Sequence, residues 1–212
     1  KIIDLLQPAP TLSFEIFPPK NHDGDISSIY QTIDELAKLK PAISVTYGAG
    51  GSTTENTVEI ASKIKNEYSI EAVAHLSCID ATPEQLIRVL DSLKANNIEN
   101  VLALRGDYQE DTIDEAPHYY KYASELNDLL EKFPDTFCLS GACYPEVHQE
   151  AASLEEDLIA LKKKVDAGAE YLITQIFFDN NYYYRLVREA RIRGINVPII
   201  AGIMPATNSS RY

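Results

Sequence analysis

Along the chain, short runs of apolar and β-branched residues alternate with longer stretches in which apolar positions recur every three or four residues. The runs Leu12–Phe17, Ile43–Tyr47, Ala72–Cys78, Asn100–Leu104, Phe137–Cys143, Tyr171–Phe177 and Pro198–Ile203 read as strands. The amphipathic stretches Ile26–Leu39, Thr54–Glu67, Pro83–Asn96, His118–Lys132, Leu154–Ala167 and Tyr182–Arg193 read as helices. The punctuation agrees: Asp80-Ala81-Thr82-Pro83-Glu84 offers a capping side chain and a proline for a first turn, and Gly168 after Asp166-Ala167 stops a helix.

The strand-to-strand period of about thirty residues is the length of one βαβ unit, and every connection is long enough for a crossover helix, so the sheet is predicted to be parallel. Seven units without a Gly-x-Gly-x-x-Gly after the first strand favour a (β/α)8 TIM barrel over a doubly wound nucleotide fold. The nearest glycine cluster, Gly48-Ala49-Gly50-Gly51, has the wrong spacing for the dinucleotide fingerprint. An eight-unit barrel takes about 250 residues. The 212-residue chain stops just after its seventh strand, so the expectation is one (β/α) barrel domain over residues 1–212, about seven βα units long, with its C-terminal end missing.

Charge narrows the partners. With 19 Lys and Arg against 32 Asp and Glu, the formal charge of −13 repels a polyanion, which argues against nucleic acid. The basic residues cluster once, at Lys162-Lys163-Lys164, too few for a duplex but enough for a cofactor diphosphate, with a solvated helix face as the bland alternative. No apolar run approaches the ~20 residues of a membrane span, and Lys1-Ile2-Ile3-Asp4 is not organised as a signal peptide, so a soluble, cytoplasmic protein is expected. The three cysteines Cys78, Cys138 and Cys143 are odd in number and lack C-x-x-C spacing, which reads as reduced core thiols.

Chemistry in such a barrel occurs at the carboxyl ends of the strands. There the sequence places Glu15 in the first strand, Thr46 at the end of the second, His75 late in the third, Arg105 and Asp107 after the fourth, Tyr144 after the fifth and Gln175 in the sixth. Any one of these has an alternative reading as a hydrogen-bonding residue of a barrel layer. Glu15 lies between Phe14 and Ile16, where desolvation is expected to raise its pKa towards that of a general acid. No lysine ends a strand, which argues against a Schiff-base aldolase, and His22, His75, His118 and His148 are scattered without His-x-His, which argues against a metal centre. The remaining set suits an organic cofactor that carries the hard chemistry itself.

Ser13-Phe14-Glu15-Ile16-Phe17-Pro18-Pro19-Lys20, Ser44-Val45-Thr46-Tyr47-Gly48-Ala49, His75-Leu76-Ser77-Cys78-Ile79-Asp80, Leu104-Arg105-Gly106-Asp107, Tyr144-Pro145-Glu146-Val147-His148 and Thr174-Gln175-Ile176-Phe177-Phe178-Asp179 resemble, in order and spacing, the signatures of bacterial-type methylenetetrahydrofolate reductases. The resemblance implies a (β/α)8 barrel with non-covalent FAD, NADH or NADPH as hydride donor, and reduction of 5,10-methylenetetrahydrofolate to 5-methyltetrahydrofolate, in a cytoplasmic homo-oligomer without a metal. By that resemblance Glu15 matches the general acid for the folate, Asp107 the carboxylate beside flavin and pterin, and Gln175 an amide contacting folate and nicotinamide. The implied FAD contacts are Thr46, Tyr47, Ala49, His75, Arg105, Gly106, Asp107, Ala123, Tyr144, His148, Ala151, Asp157, Ala160, Lys163 and Lys164, although His148 has the alternative of capping the following loop.

The sequence departs from the family pattern in the acidic segment between Asp107 and His118, which lacks the Gly/Pro-rich character of many relatives, and in having no residues for contacts beyond the seventh strand. Two other readings stay open: a non-catalytic barrel fragment or subunit, and a flavin-free lyase or transferase acting on a one-carbon pterin.

Overall fold

A computed structural model of the chain describes residues 1–6, 10–18, 26–39, 41–47, 54–79, 81–106, 120, 122–126, 130 and 132–205, the side chains of 54, 55 and 124 excepted. The strands β1 (Ser13–Ile16), β2 (Ala42–Val45), β3 (Ala72–Ser77), β4 (Asn100–Leu104), β5 (Cys138–Cys143), β6 (Ala169–Thr174) and β7 (Ile199–Ile200) follow one another in a single sheet in chain order. The α-helices are α1 (Ile2–Leu5), α2 (Ser27–Ala37), α3 (Thr54–Asn66), α4 (Pro83–Ala95), α5 (Leu154–Asp166) and α6 (Asn180–Ile192). Pairing is parallel between β1 and β2, β2 and β3, β3 and β4, and β6 and β7. Strand order equal to chain order, with crossovers between, is the topology of a (β/α)8 barrel carried through seven strands. The chain divides into two compact units, Lys1–Ser140 and Gly141–Tyr212, with the boundary inside β5.

In the first unit, β3 is buried along Ala72, Val73, Ala74, His75 and Leu76, as expected of a parallel strand covered on both faces. One core holds Ile43 and Val45 of β2, Ala74 and Leu76 of β3, Val101 of β4, Ile60 and Ile64 of α3, and Leu86, Leu90 and Leu93 of α4. The α4 start follows its sequence: the Thr82 hydroxyl accepts from the Gln85 N–H, the Gln85 side chain accepts from the Thr82 N–H, and Pro83 fills the first turn.

At the amino ends of β3 and β4 sits a polar knot. Asn100, fully buried, accepts from the Ile2 N–H at 2.8 Å and donates to Glu71 Oε2 at 2.9 Å and the Ala72 carbonyl at 3.0 Å. Lys65 Nζ donates to Glu71 Oε1 at 2.5 Å. Partial burial works to raise the Glu71 pKa, but the bonds from Lys65 and Asn100 outweigh it and hold this carboxyl below its usual range.

The second unit has its own core of Cys143, Leu158, Leu161, Leu172, Leu186, Ala190 and Ile195. Ser153 caps α5 by accepting from the Glu156 N–H, and Asp179 caps α6 by accepting from the Asn181 N–H. Gly168 takes φ 108° just past α5, as the glycine stop predicted.

Several boundaries differ from the sequence reading. The sixth strand runs over Ala169–Thr174 rather than Tyr171–Phe177, so Gln175 follows the strand instead of lying in it. The seventh is Ile199–Ile200, shorter than Pro198–Ile203, because its ladder with β6 covers only Leu172–Ile199 and Ile173–Ile200. The last helix begins at Asn180, two residues before Tyr182, where Asp179 supplies the cap. Within the expected helix His118–Lys132, the described residues show a 3-10 turn at Ala123–Leu126, and residues 118, 119, 121, 127–129 and 131 lie outside the description. The glycine cluster at 48–51 and the chain end at 208–212 also lie outside it. No described helix is long and apolar enough to cross a membrane.

Replacing Asn100 with Leu keeps the volume but strands the Ile2 N–H, the Ala72 carbonyl and one Glu71 oxygen. The expected loss is about 2–4 kcal/mol, read as a lower urea midpoint. Because Glu71 is held below its unfolded pKa, its share of wild-type stability is present above the ordinary carboxylate range and is lost as pH falls through the folded value. Asn100→Leu should therefore also flatten the acid limb of the stability curve.

Candidate active site

In the first unit, backbone bonds carry the strand ends beyond the ladder. The Thr46 N–H donates to the Ile16 carbonyl at 3.0 Å, and the Thr46 carbonyl accepts from the Thr57 hydroxyl at 3.0 Å. Thr57 is buried on α3. The Arg105 carbonyl accepts from the Ser77 hydroxyl at 3.0 Å and the Ile79 N–H at 2.9 Å, which ties the ends of β3 and β4 together. Gly106 turns the chain at φ +93°, and a Cβ there would run into Ser77 Oγ. Arg105 Nε donates to the Gly106 carbonyl at 3.3 Å.

Glu15 and His75 meet across this edge, with Glu15 Oε2 3.9 Å from His75 Nε2. The imidazole is 6% exposed, and its Nε2 is buried without a hydrogen-bond partner among the described residues. Burial pushes the His75 pKa down to about 4, so the ring is neutral at pH 7 and the two side chains are not an ion pair. Desolvation raises the Glu15 pKa, as expected, although its side chain is 45% exposed and not sealed in the core. The cause differs from the sequence argument. Side chains alternate along a strand, so Phe14 and Ile16 point to the opposite face and do not enclose the carboxyl.

In the second unit, Tyr144 follows β5 and meets His148 edge to face, ring centroids 4.5 Å apart. The His148 N–H donates to Asp157 Oδ2 at 3.1 Å, and His148 Nδ1 accepts from the Glu150 N–H at 3.1 Å, which leaves the proton of a neutral ring on Nε2. The His148 carbonyl accepts from the Ala151 N–H at 3.0 Å. Lys164 Nζ donates to the Ala142 carbonyl at 2.9 Å and lies 5.7 Å from the Tyr144 ring centroid. The Gln175 N–H donates to the Cys143 carbonyl at 2.7 Å, and its exposed side chain stands one residue past β6.

The lysine triplet is not one patch. Successive helical residues point about 100° apart. Lys162 pairs with Asp166, Lys163 is exposed, and only Lys164 reaches the strand edge beside Tyr144. Among the other expected contacts, Tyr47 is half-buried, Ala123 opens the 3-10 turn and Ala160 is exposed on α5. Ala49 and Asp107 lie outside the described residues. All three cysteines are buried, and burial pushes the thiols of Cys78 and Cys143 up to about 11 and about 12, so neither is poised as a nucleophile.

Thr57, Ser77 and Arg185 escaped the sequence reading. Thr57 was signalled: with Ile60, Ala61 and Ile64 it occupies the i, i+3, i+4, i+7 stripe, so a polar side chain stands at a core position. Arg185, whose Nη2 donates to the Pro145 carbonyl at 3.4 Å, had no signal in a helix rich in arginine.

A family model described as methylenetetrahydrofolate reductase matches residues 1–212. The chain is 43% identical over 198 residues to the 5,10-methylenetetrahydrofolate reductase of Escherichia coli (strain K12), covering 93% of this chain and 65% of that protein. It is 39% identical over 209 residues to methylenetetrahydrofolate reductase (NADH) 1 of Arabidopsis thaliana, covering 92% of this chain and 35% of that protein. The chain thus spans about two thirds of the bacterial relative and about one third of the plant one. Among solved structures, an uncharacterized Clostridium thermocellum protein that binds two copies of 5-methyl-5,6,7,8-tetrahydrofolic acid shares the fold with TM-score 0.57 at 14% identity, over 93% of this chain and 66% of that one.

The neutral buried ring of His75 sets a pH test. A histidine whose folded pKa lies below its unfolded value contributes stability that is present above pH 6.5 and lost as pH falls through about 4. Each tenfold change in proton affinity between the folded and unfolded chain is worth ~1.4 kcal/mol, so across that window the wild type should lose up to about 3 kcal/mol more than His75→Leu. Urea midpoints measured from pH 7 to pH 4 read the difference. Parallel curves would mean that His75 is not neutralised by its surroundings.

Proposed function

The chain belongs to the methylenetetrahydrofolate reductase family, and on that premise we propose that it serves the reduction of 5,10-methylenetetrahydrofolate to 5-methyltetrahydrofolate, with NADH or NADPH as donor and non-covalent FAD as carrier, in a cytoplasmic homo-oligomer. The observation that carries the reading is Glu15: a carboxyl with a raised pKa, half exposed near a strand end, beside a neutral imidazole. Such a group is still protonated where an ordinary carboxylate has ionised, and it is open to a ligand.

The residues present fit the cofactor. In the first unit, Thr46 and Arg105 just past strand ends and His75 within β3, whose buried Nε2 has no hydrogen-bond partner among the described residues, form a set suited to the polar edge of a flavin. In the second, Tyr144, His148 and Lys164 offer ring faces and a cation of the kind that a purine and a diphosphate call for. When bound, FAD supplies the hydride carriage between nicotinamide and folate.

The chain's own part is proton handling and orientation. Glu15 gives its proton to a nitrogen of the folate's five-membered ring. The C–N bond at that nitrogen breaks, its electron pair stays on the nitrogen, and an electrophilic iminium carbon is left for the hydride. Glu15 ends as the carboxylate. By family resemblance Gln175 is an amide that contacts the folate, and Asp107 supplies negative charge near the cation. A second reading, a flavin-free pterin-binding barrel, draws support from the fold shared with the folate-binding Clostridium protein.

The full-length protein should purify yellow, bleach anaerobically with NADH or NADPH, and regain its colour with methylenetetrahydrofolate. A colourless protein that cannot be reconstituted with FAD but binds 5-methyltetrahydrofolate would favour the second reading. Glu15→Gln should slow recovery of colour about 10²–10⁴-fold while slowing bleaching far less, since only the folate step needs the proton. Equal slowing of both would remove Glu15 as the acid. Lys164→Ala should weaken FAD retention by about 1–3 kcal/mol, and Lys163→Ala by much less, as measured by fluorescence titration. Equal losses would contradict the difference in their placement.

A further inference from the structure

At the ends of β3 and β4, several donors converge on one backbone carbonyl. The Arg105 oxygen accepts from the Ser77 hydroxyl at 3.0 Å and from the Ile79 and Cys78 N–H groups at 2.9 and 3.2 Å. A carbonyl oxygen has two lone pairs, so these donors saturate it and fix the plane of the Arg105–Gly106 peptide. In a trans peptide the N–H points away from the C=O, so a carbonyl pinned against β3 turns the Gly106 N–H the other way. No described residue accepts from that N–H, and Gly106 is only half-buried. Glycine is needed there on two counts: its φ is +93°, and Ser77 Oγ occupies the space a Cβ would take. Ser77 also lies on the same face of β3 as His75, one pleat further along, and so belongs to the side of the sheet that carries the proposed flavin set. Its one hydroxyl proton is committed to Arg105, so its action on a ligand passes through that peptide.

Resting on the reading above, we infer that Ser77 is a positioning residue for the flavin: its hydroxyl holds the Arg105–Gly106 peptide so that the Gly106 N–H stands ready to donate to the polar edge of the ring system. The backbone donors to Arg105 remain in any variant, so losing the hydroxyl loosens the peptide without releasing it. Glycine on one side gives that peptide freedom to rock. A donor held still in this way distinguishes the two forms of the cofactor. Addition of a hydride leaves the ring richer by one negative charge, and a hydrogen bond to a charged acceptor is about twice as strong as one to a neutral acceptor. The Gly106 N–H therefore favours the reduced form over the oxidised one and raises the midpoint potential of the bound flavin.

The test loads the full-length protein with FAD and measures its midpoint potential against a reference dye. Ser77→Ala should lower the potential by about 30 mV, the equivalent of a tenfold loss in the preference for reduced over oxidised flavin. Its affinity for oxidised FAD, from fluorescence titration, should fall only about 2- to 5-fold. Ser77→Thr keeps the hydroxyl and should retain the wild-type potential. Ser77→Cys keeps the shape but offers only a weak S–H donor, so it should shift the potential in the same direction as Ser77→Ala, and it carries the test if the alanine variant fails to hold FAD. A merely structural Ser77 would weaken both forms of the cofactor equally and leave the potential where it was. An unchanged potential in the alanine or cysteine variant, or a lowered one in Ser77→Thr, would overturn the inference. A wild type that takes up no FAD would instead sink the reading on which it rests.

Discussion

Because the strands of the first unit pair in parallel, their carboxyl ends fall at one edge of the sheet, and each return needs a crossover that brings the chain back to the opposite edge. The register turns this into side-chain geometry. Glu15 lies opposite Ser44, and Ser44 opposite Val73, so His75 stands one pleat further along on the same face as Val73. A carboxyl reaching forward along β1 thereby comes to a ring two strands away. A slip of one residue in either pairing would turn one of them to the other face. The same parallel constraint sets the opposite edge, where Asn100, Glu71 and Lys65 gather and bind the start of the chain through Ile2.

Much of this was legible in the sequence because crossover units write their period plainly. The strand Asn100–Leu104 and the helix opening at Pro83 fell where pattern and capping residues placed them. Misreadings came where local pattern and tertiary pairing disagree. The apolar and aromatic residues of Tyr171–Phe177 continue past Thr174, but the ladder stops with short β7, and the chain turns there as Thr174 Oγ accepts from the Gly202 N–H at 2.9 Å. The sequence reading of Glu15 rests on its neighbours along the chain, whereas its environment comes from residues across the sheet. The lysine triplet looks like a cluster only because proximity in sequence ignores the turn of the helix. His75 is the clearest case: its residue type was visible, but the burial of its nitrogen away from any hydrogen-bond partner among the described residues exists only in three dimensions.

Strain marks the second unit in a comparable way. Val147 adopts φ +78°, which a β-branched side chain strongly disfavours, at a cost on the order of 1–3 kcal/mol. The turn is held in place from both sides. The Val147 N–H donates to the Tyr144 carbonyl at 3.3 Å, His148 is tied to Asp157 on α5, and Arg185 of α6 reaches the Pro145 carbonyl. What the strained turn secures is the edge-to-face pair of Tyr144 and His148, with Lys164 beside it. A relaxed loop would cost the fold less, but would leave those rings in several orientations.

The orphaned nitrogen of His75 and the strained Val147 belong to one trade. Leucine at position 75 would fill the space without stranding a polar atom and would remove a group whose protonation in acid opposes folding. By packing alone, histidine is the worse residue there. A core that tolerates it forgoes stability for a neutral polar ring held in the sheet beside the Glu15 carboxyl. Local rules of this kind are broken where a site needs a group in a state that water would not give it. Neutral His75 is such a state, and desolvation also works against the charged form of Glu15 beside it, raising the pKa of that carboxyl.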